Sequence, residues 1–127
     1  MNIDWSGMVT AEQKAEQARK ETVQAIAARR YEAEISGIEI GGLPIDSGRD
    51  SQALITGAAL NAVIDPGYVC NWKTPGGFVQ LDAQTLLGIA VTLRSHVQSC
   101  FDREAELLQA LADGTYLPEM LEEGWPA

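Results

Sequence analysis

The sequence predicts a helix-dominated α+β fold in the order helix, hairpin, helix, hairpin, long helix (α-ββ-α-ββ-α). Three observations predict it. Apolar residues after Asp82 recur every seven positions for about four heptads, and two pairs of short apolar runs are closed by Gly-Gly and Pro-Gly-Gly turns. Aromatic residues make up only 6% of the chain while alanine is frequent, which favours close-packed helices over a β-sandwich. At 127 residues the chain has the size of one domain. Chains of this size bury roughly two-thirds of their unfolded surface without disulfides or metal.

Residues 1–9 read as an N-terminal arm and residues 10–114 as a single domain. The first helix, residues 10–35, opens at Thr10, whose hydroxyl can cap while Gln13 reaches back to complete a capping box. Its stripe of Ala11, Ala15, Ala18, Thr22, Ala25 and Ile26 buries little area. At about 25 cal/mol per Å2 such a narrow seam stabilises weakly, so the helix needs a close partner, either the long helix or another chain. A hairpin at residues 38–45 turns at Gly41-Gly42. Pairing Ile40 with Leu43 and Ile38 with Ile45 places all four on one face and Pro44 at a site that donates no ladder hydrogen bond.

Turn residues Asp46 to Asp50 lead into a second helix, residues 51–64, ended by Asp65-Pro66-Gly67. Ala53, Gly57, Leu60 and Ile64 share one face and Leu54, Ile55, Ala58 and Ala62 fill adjacent ones. The helix is therefore expected to lie deep, with Gln52 and Thr56 at its exposed edge. A hairpin at residues 68–82 turns through Thr74-Pro75-Gly76-Gly77. Setting Thr74 opposite Gly77 puts Trp72 with Val79 and Cys70 with Leu81 on a core face, and Lys73 with Phe78 on a wet one. Phe78 is then either shielded by the Lys73 stem or left for a partner. Asp82 caps the long helix, residues 83–113, which stops at Gly114. Its seam of Leu86, Leu93, Cys100 and Leu107 with Ala90, Val97 and Leu111 is interrupted by Glu104. The seam suits an αα-hairpin with the first helix and a multi-chain bundle equally. Residues 115–127 form a C-terminal tail with Pro118 placed to open a single turn.

Net charge is −9, and its placement matters more than its total. From Thr10 to Ile35 five acids balance five bases, whereas Asp102 to Glu123 holds seven acids against Arg103 alone. An acidic end repels phosphate, so nucleic acid is not an expected partner. No apolar run is long enough to span a membrane and Met1 to Met8 lacks the features of a signal peptide, so neither a membrane nor the secretory route is expected.

Candidate chemistry is sparse. Two cysteines and one histidine cannot make a zinc site; Cys70 and Cys100 are expected as buried thiols of a reducing cytosol, though a strand and a helix that meet could bond them. His96 and Cys100 lie one turn apart in the seam, where packing is favoured over a nucleophilic dyad. Asp46 to Asp50 lacks the alternating ligands and distal glutamate of a calcium loop. Glu104 with Glu106, and Glu122 with Glu123, read as a solvated face. No catalytic residue, cofactor or metal is expected. Trp5, Phe78, Tyr116 and Trp125 are the candidate partner-binding residues, because large aromatic groups on short or wet segments are anchors for another surface.

Several blocks in order carry a resemblance: Asp50-Ser51-Gln52-Ala53, Thr56-Gly57-Ala58, Trp72-Lys73-Thr74, Gly77-Phe78-Val79 with Leu81-Asp82, and His96-Val97-Gln98 with Cys100-Phe101-Asp102-Arg103-Glu104. From Gly37 onward the chain resembles a small domain of uncharacterised molecular function found in tail-fibre and tail-fibre assembly proteins of tailed bacteriophages. The opening Ile3-Asp4-Trp5 is similar to a stretch in such proteins. The resemblance implies a phage tail or tail-fibre context, with the protein made in the bacterial host cytoplasm, and no enzyme activity. Aromatic anchors at both ends, an alanine seam that needs a partner and the lack of a reaction centre make the leading expectation a virion protein that docks on a tail fibre or baseplate protein as an adaptor. A tail-fibre assembly chaperone is the alternative, and homo-oligomers fit either reading.

Overall fold

The computed structural model describes residues 10–127; the arm with Trp5 lies outside them. Helix α1 spans Ala11–Glu34 with Thr10 as N-cap, its hydroxyl accepting from Gln13 N at 3.1 Å and the Gln13 side chain accepting from Thr10 N at 2.9 Å. Strands β1 (Ile38–Ile40) and β2 (Leu43–Ile45) pair antiparallel in the register set by the Gly-Gly turn, Ile38 with Ile45 and Ile40 with Leu43. Gly41 and Gly42 carry φ of +57° and +82°, the left-handed values this turn requires. Strands β3 (Val69–Thr74) and β4 (Gly77–Asp82) pair with Trp72 opposite Val79 and Cys70 opposite Leu81. That register follows from Thr74 facing Gly77, whose carbonyl accepts from the Thr74 hydroxyl at 2.7 Å.

Helix α2 spans Arg49–Ile64 and α3 spans Ala83–Asp113. Asp82 caps α3 by accepting from Thr85 N at 2.8 Å, and Gly114, at φ +76°, ends it. The N-cap of α2 is Gly48, which has no side chain to offer; Asp46 instead holds the turn by accepting from Gly48 N at 2.8 Å. The helix therefore starts two residues before the position expected from Ser51.

One core lies on the N-terminal half of α3, where Leu86, Ile89, Leu93 and Val97 meet Ile55, Ala58 and Ala62 of α2, Ile45 of β2 and Leu81 of β4. The α3 seam is thus filled within the chain, on one stretch by α2 and on the other by α1. Helix α1 runs antiparallel to α3: His96 lies beside Ala33, and Arg30 beside Glu104.

One expectation is overturned and one is met in part. Helix α2 does not lie deep. Leu54, Leu60, Val63 and Ile64 are 64%, 61%, 66% and 73% exposed, and the face shared by Ala53, Gly57, Leu60 and Ile64 points to solvent. A helix packed on one neighbour buries only one stripe, and the smaller residues Ala58 and Ala62 with Ile55 allow the closer approach to α3. The alanine seam of α1 finds the long helix as its partner, but over its C-terminal part alone: Ile26 is fully buried, whereas residues 11–21 are all exposed. This half of α1 projects past the end of α3, held by its capping box and by local pairs such as Glu16 with Arg19, which contribute little at an exposed surface.

These burial differences set the expected stabilities. Leu86→Ala should cost about 3 kcal/mol by cavity formation, whereas Leu60→Ala should stay within about 0.5 kcal/mol; urea denaturation of the two variants measures both. Equal losses would place α2's outer face in a core.

Candidate functional site

Glu34 ends α1, where the exposed carbonyls make a carboxylate unfavourable, and it has no exposure at all. Its burial is compensated by three donors. Arg30, one turn earlier, donates to Oε1 at 2.6 Å; Arg49, in the first turn of α2, donates to Oε1 at 2.9 Å; and Gln52 donates to Oε2 at 2.9 Å. Ser47 completes the junction by donating its hydroxyl to the Glu34 carbonyl at 2.7 Å while accepting from Gly37 N at 2.8 Å. From α3, His96 Nε2 lies 3.0 Å from Ala33 O and 3.2 Å from Glu34 O. Contact with two carbonyls fixes that nitrogen as the protonated donor. Helix α1 thus receives its C-terminal cap from α3 and its terminal charge balance from α2.

The chemistry of this node is that of a saturated structural group. Burial alone would raise the Glu34 pKa, but the hydrogen bonds from Arg49, Gln52 and Arg30 and the Arg49 charge hold it below the ordinary carboxylate value. Cys100 Sγ lies 4.0 Å from His96 Nε2, whose proton is already committed to α1. Burial, then the Glu34 charge, pushes the Cys100 thiol up, opposite to what a nucleophile needs. Cys70 and Cys100 are both free thiols. Every buried side-chain nitrogen and oxygen among the described residues has a partner. Among those residues no group of three or more His, Cys, Asp or Glu is placed to hold a metal ion, and no helix is long and apolar enough to cross a membrane.

Of the four acids read as a solvated face, Glu106, Glu122 and Glu123 are exposed, whereas Glu104 is not. Glu104 breaks the α3 seam because it accepts from Arg30 at 3.2 Å, with only 17% of its side chain exposed. Glu122 accepts from Arg29 at 2.9 Å and Glu106 pairs with Arg103 at 3.1 Å. The tail is tied down by the same arginines. A 3-10 turn at Pro118–Glu122 packs on α1, and Arg103 donates to the carbonyls of Glu123 and Met120 at 2.8 and 3.2 Å.

The four aromatic candidates separate accordingly. Trp125 is half-buried on its own chain, its Nε1 donating to Leu121 O at 2.7 Å with the Arg29 guanidinium 5.3 Å from its ring centroid. Tyr116 is also half-buried. Phe78 stands 72% exposed beside Lys73, and Trp5 lies outside the described residues. What the sequence reading missed is the Glu34 node and the outer face of α2. The first had a signal: an acid in the last turn of a helix opposes the backbone field and implies a buried or ion-paired partner.

Glu34→Gln should cost about 3 kcal/mol at neutral pH, because it leaves arginines gathered around a neutral group. The sign of the pH effect follows from the lowered native pKa. The charge contribution is fully present above the unfolded glutamate pKa of about 4.3 and is lost as pH falls through the native value. Denaturant titrations from neutral to acid pH should therefore show the gap between wild type and Glu34→Gln closing below about pH 4. Separately, Cys100 in the native protein should react with a thiol reagent only at the rate of unfolding.

No curated protein and no solved structure matches the chain. A family profile does match, over residues 17–122, which takes in α1 from Gln17 onward, both hairpins, α2, α3 and the 3-10 turn. The chain belongs to the family described as Domain of unknown function (DUF4376).

Proposed function

We propose that this chain is a non-enzymatic component of a bacteriophage tail that docks on a tail-fibre or baseplate protein as an adaptor. The observation that carries the reading is the outer face of α2. Leu60, Val63 and Ile64 lie within two turns, 61% to 73% exposed, beside the small residues Ala53 and Gly57. Contiguous apolar surface of this kind marks an interaction site, and small residues along it let a partner approach closely. The tail context comes from the sequence resemblance alone.

In the assembly-chaperone alternative, the acidic end of α3 would shield a basic or unfolded fibre segment. Arg29, Arg30 and Arg103 already pair with Glu122, Glu104 and Glu106, so that end has less charge to offer, and the adaptor reading is preferred.

The test is co-purification with the neighbouring fibre protein. Leu60→Glu with Ile64→Glu should abolish the complex while leaving the melting temperature within a few degrees, since both side chains are exposed. Retained binding in that variant, or absence of this chain from purified virions by mass spectrometry, would remove the adaptor reading.

A further inference from the structure

Phe78 and Leu54, 72% and 64% exposed, both line a groove of ≈ 560 Å3 formed by the start of α2 and the β3–β4 hairpin. Trp72 and Pro75 add apolar surface, while Lys73 and Asp46 supply one charge of each sign. Lys73 has no ion pair among the described residues. One Asp46 oxygen accepts from Gly48 N at 2.8 Å, which leaves the second as an acceptor. Concave apolar space with a few placed polar groups is the form that seats one large anchoring side chain.

The chain carries a segment of matching chemistry in Ile3-Asp4-Trp5. The indole suits the apolar walls, its N–H suits the Asp46 carboxylate, and the adjacent Asp4 carboxylate suits Lys73. We propose that the groove takes Trp5 of a second copy of this chain, so that two copies exchange their N-terminal arms.

Reach requires the exchange to be between copies. Asp46 adjoins Ser47, whose hydroxyl donates to the Glu34 carbonyl, so the groove lies at the C-terminal end of α1. The arm leaves from the other end. Helix α1 has 24 residues and so is about 36 Å long. Trp5 precedes Thr10 by five residues and can lie at most about 18 Å from it. A copy therefore cannot fill its own groove. The groove's lining shares no residue with the Leu60, Val63 and Ile64 patch of α2, and the exchange does not rest on the adaptor reading.

Sedimentation velocity of the full chain across a wide concentration range tests the exchange, with circular dichroism as the folding control. Wild type should self-associate as concentration rises. Trp5→Ala and Phe78→Glu should each weaken association at least tenfold while keeping the wild-type circular dichroism spectrum, since Phe78 is exposed and Trp5 precedes the Thr10 cap in the sequence. Mixing the two variants should produce a pair that neither forms alone, because Phe78→Glu supplies an arm and Trp5→Ala supplies a groove. A wild type that stays monomeric throughout overturns the proposal. So does Trp5→Ala associating like wild type, or Phe78→Glu associating like wild type. Binding of a fibre protein at the groove, equal in wild type and Trp5→Ala and lost in Phe78→Glu, would assign the groove to a foreign partner instead.

Discussion

A carboxylate with no solvent exposure sits at the last turn of a helix, and the path of the chain on either side answers to it. Isolated there, Glu34 would face both the cost of desolvation and the negative end of the helix dipole. Arg30 can help from within α1, but the second arginine and the amide come from the first turn of α2. That turn must therefore return to the end of α1. The β1–β2 hairpin is the device that returns it, and Ser47 closes the loop by bonding to both Glu34 O and Gly37 N. His96 then attaches α3 to the same carbonyls. Three helices share one junction, although their apolar contacts lie in two separate places along α3.

The position of α2 follows from this arrangement. Its start is fixed at the polar node, and its Ile55, Ala58 and Ala62 stripe is fixed against α3. Nothing else among the described residues covers it, so the opposite apolar face stays open to solvent. The same holds for Phe78, which the hairpin register forces to the side away from Cys70, Leu81 and the core. The exposed apolar groups are thus consequences of register and packing in well-defined elements. Exposed surface on rigid elements can be presented to a partner with little ordering cost. The basic side chains, by contrast, are mostly engaged: Arg29, Arg30 and Arg103 hold the acidic end and the tail against α1 and α3.

Much of the fold was legible because local chemistry specified it. Thr10 with Gln13, Asp82 and Gly114 mark helix ends by groups that satisfy backbone donors and acceptors within a few residues. Gly41-Gly42 and Pro75-Gly76 fix strand registers by turn geometry. What could not be read was which of two apolar stripes on α2 meets the core, because both have helical spacing and the choice depends on how many layers surround the helix. The partner of α1 was equally open, since an alanine seam fits a neighbour in the same chain or another. Glu104 looked like a defect in the α3 heptads; Arg30, distant in sequence, makes it a bond. Trp125 looked unburied at the end of a short tail, but Arg29 and the Leu121 carbonyl hold it to the domain.

The central claim is that the Glu34 junction couples α1 to α2 and α3 as one cooperative unit. Native-state hydrogen exchange reads this residue by residue. In wild type, the amides of the last turn of α1, of Gly37 and of the α2 and α3 core should open with a common free energy close to that of global unfolding. A last turn of α1 that opens independently, far below the core, in wild-type protein at neutral pH would contradict the account.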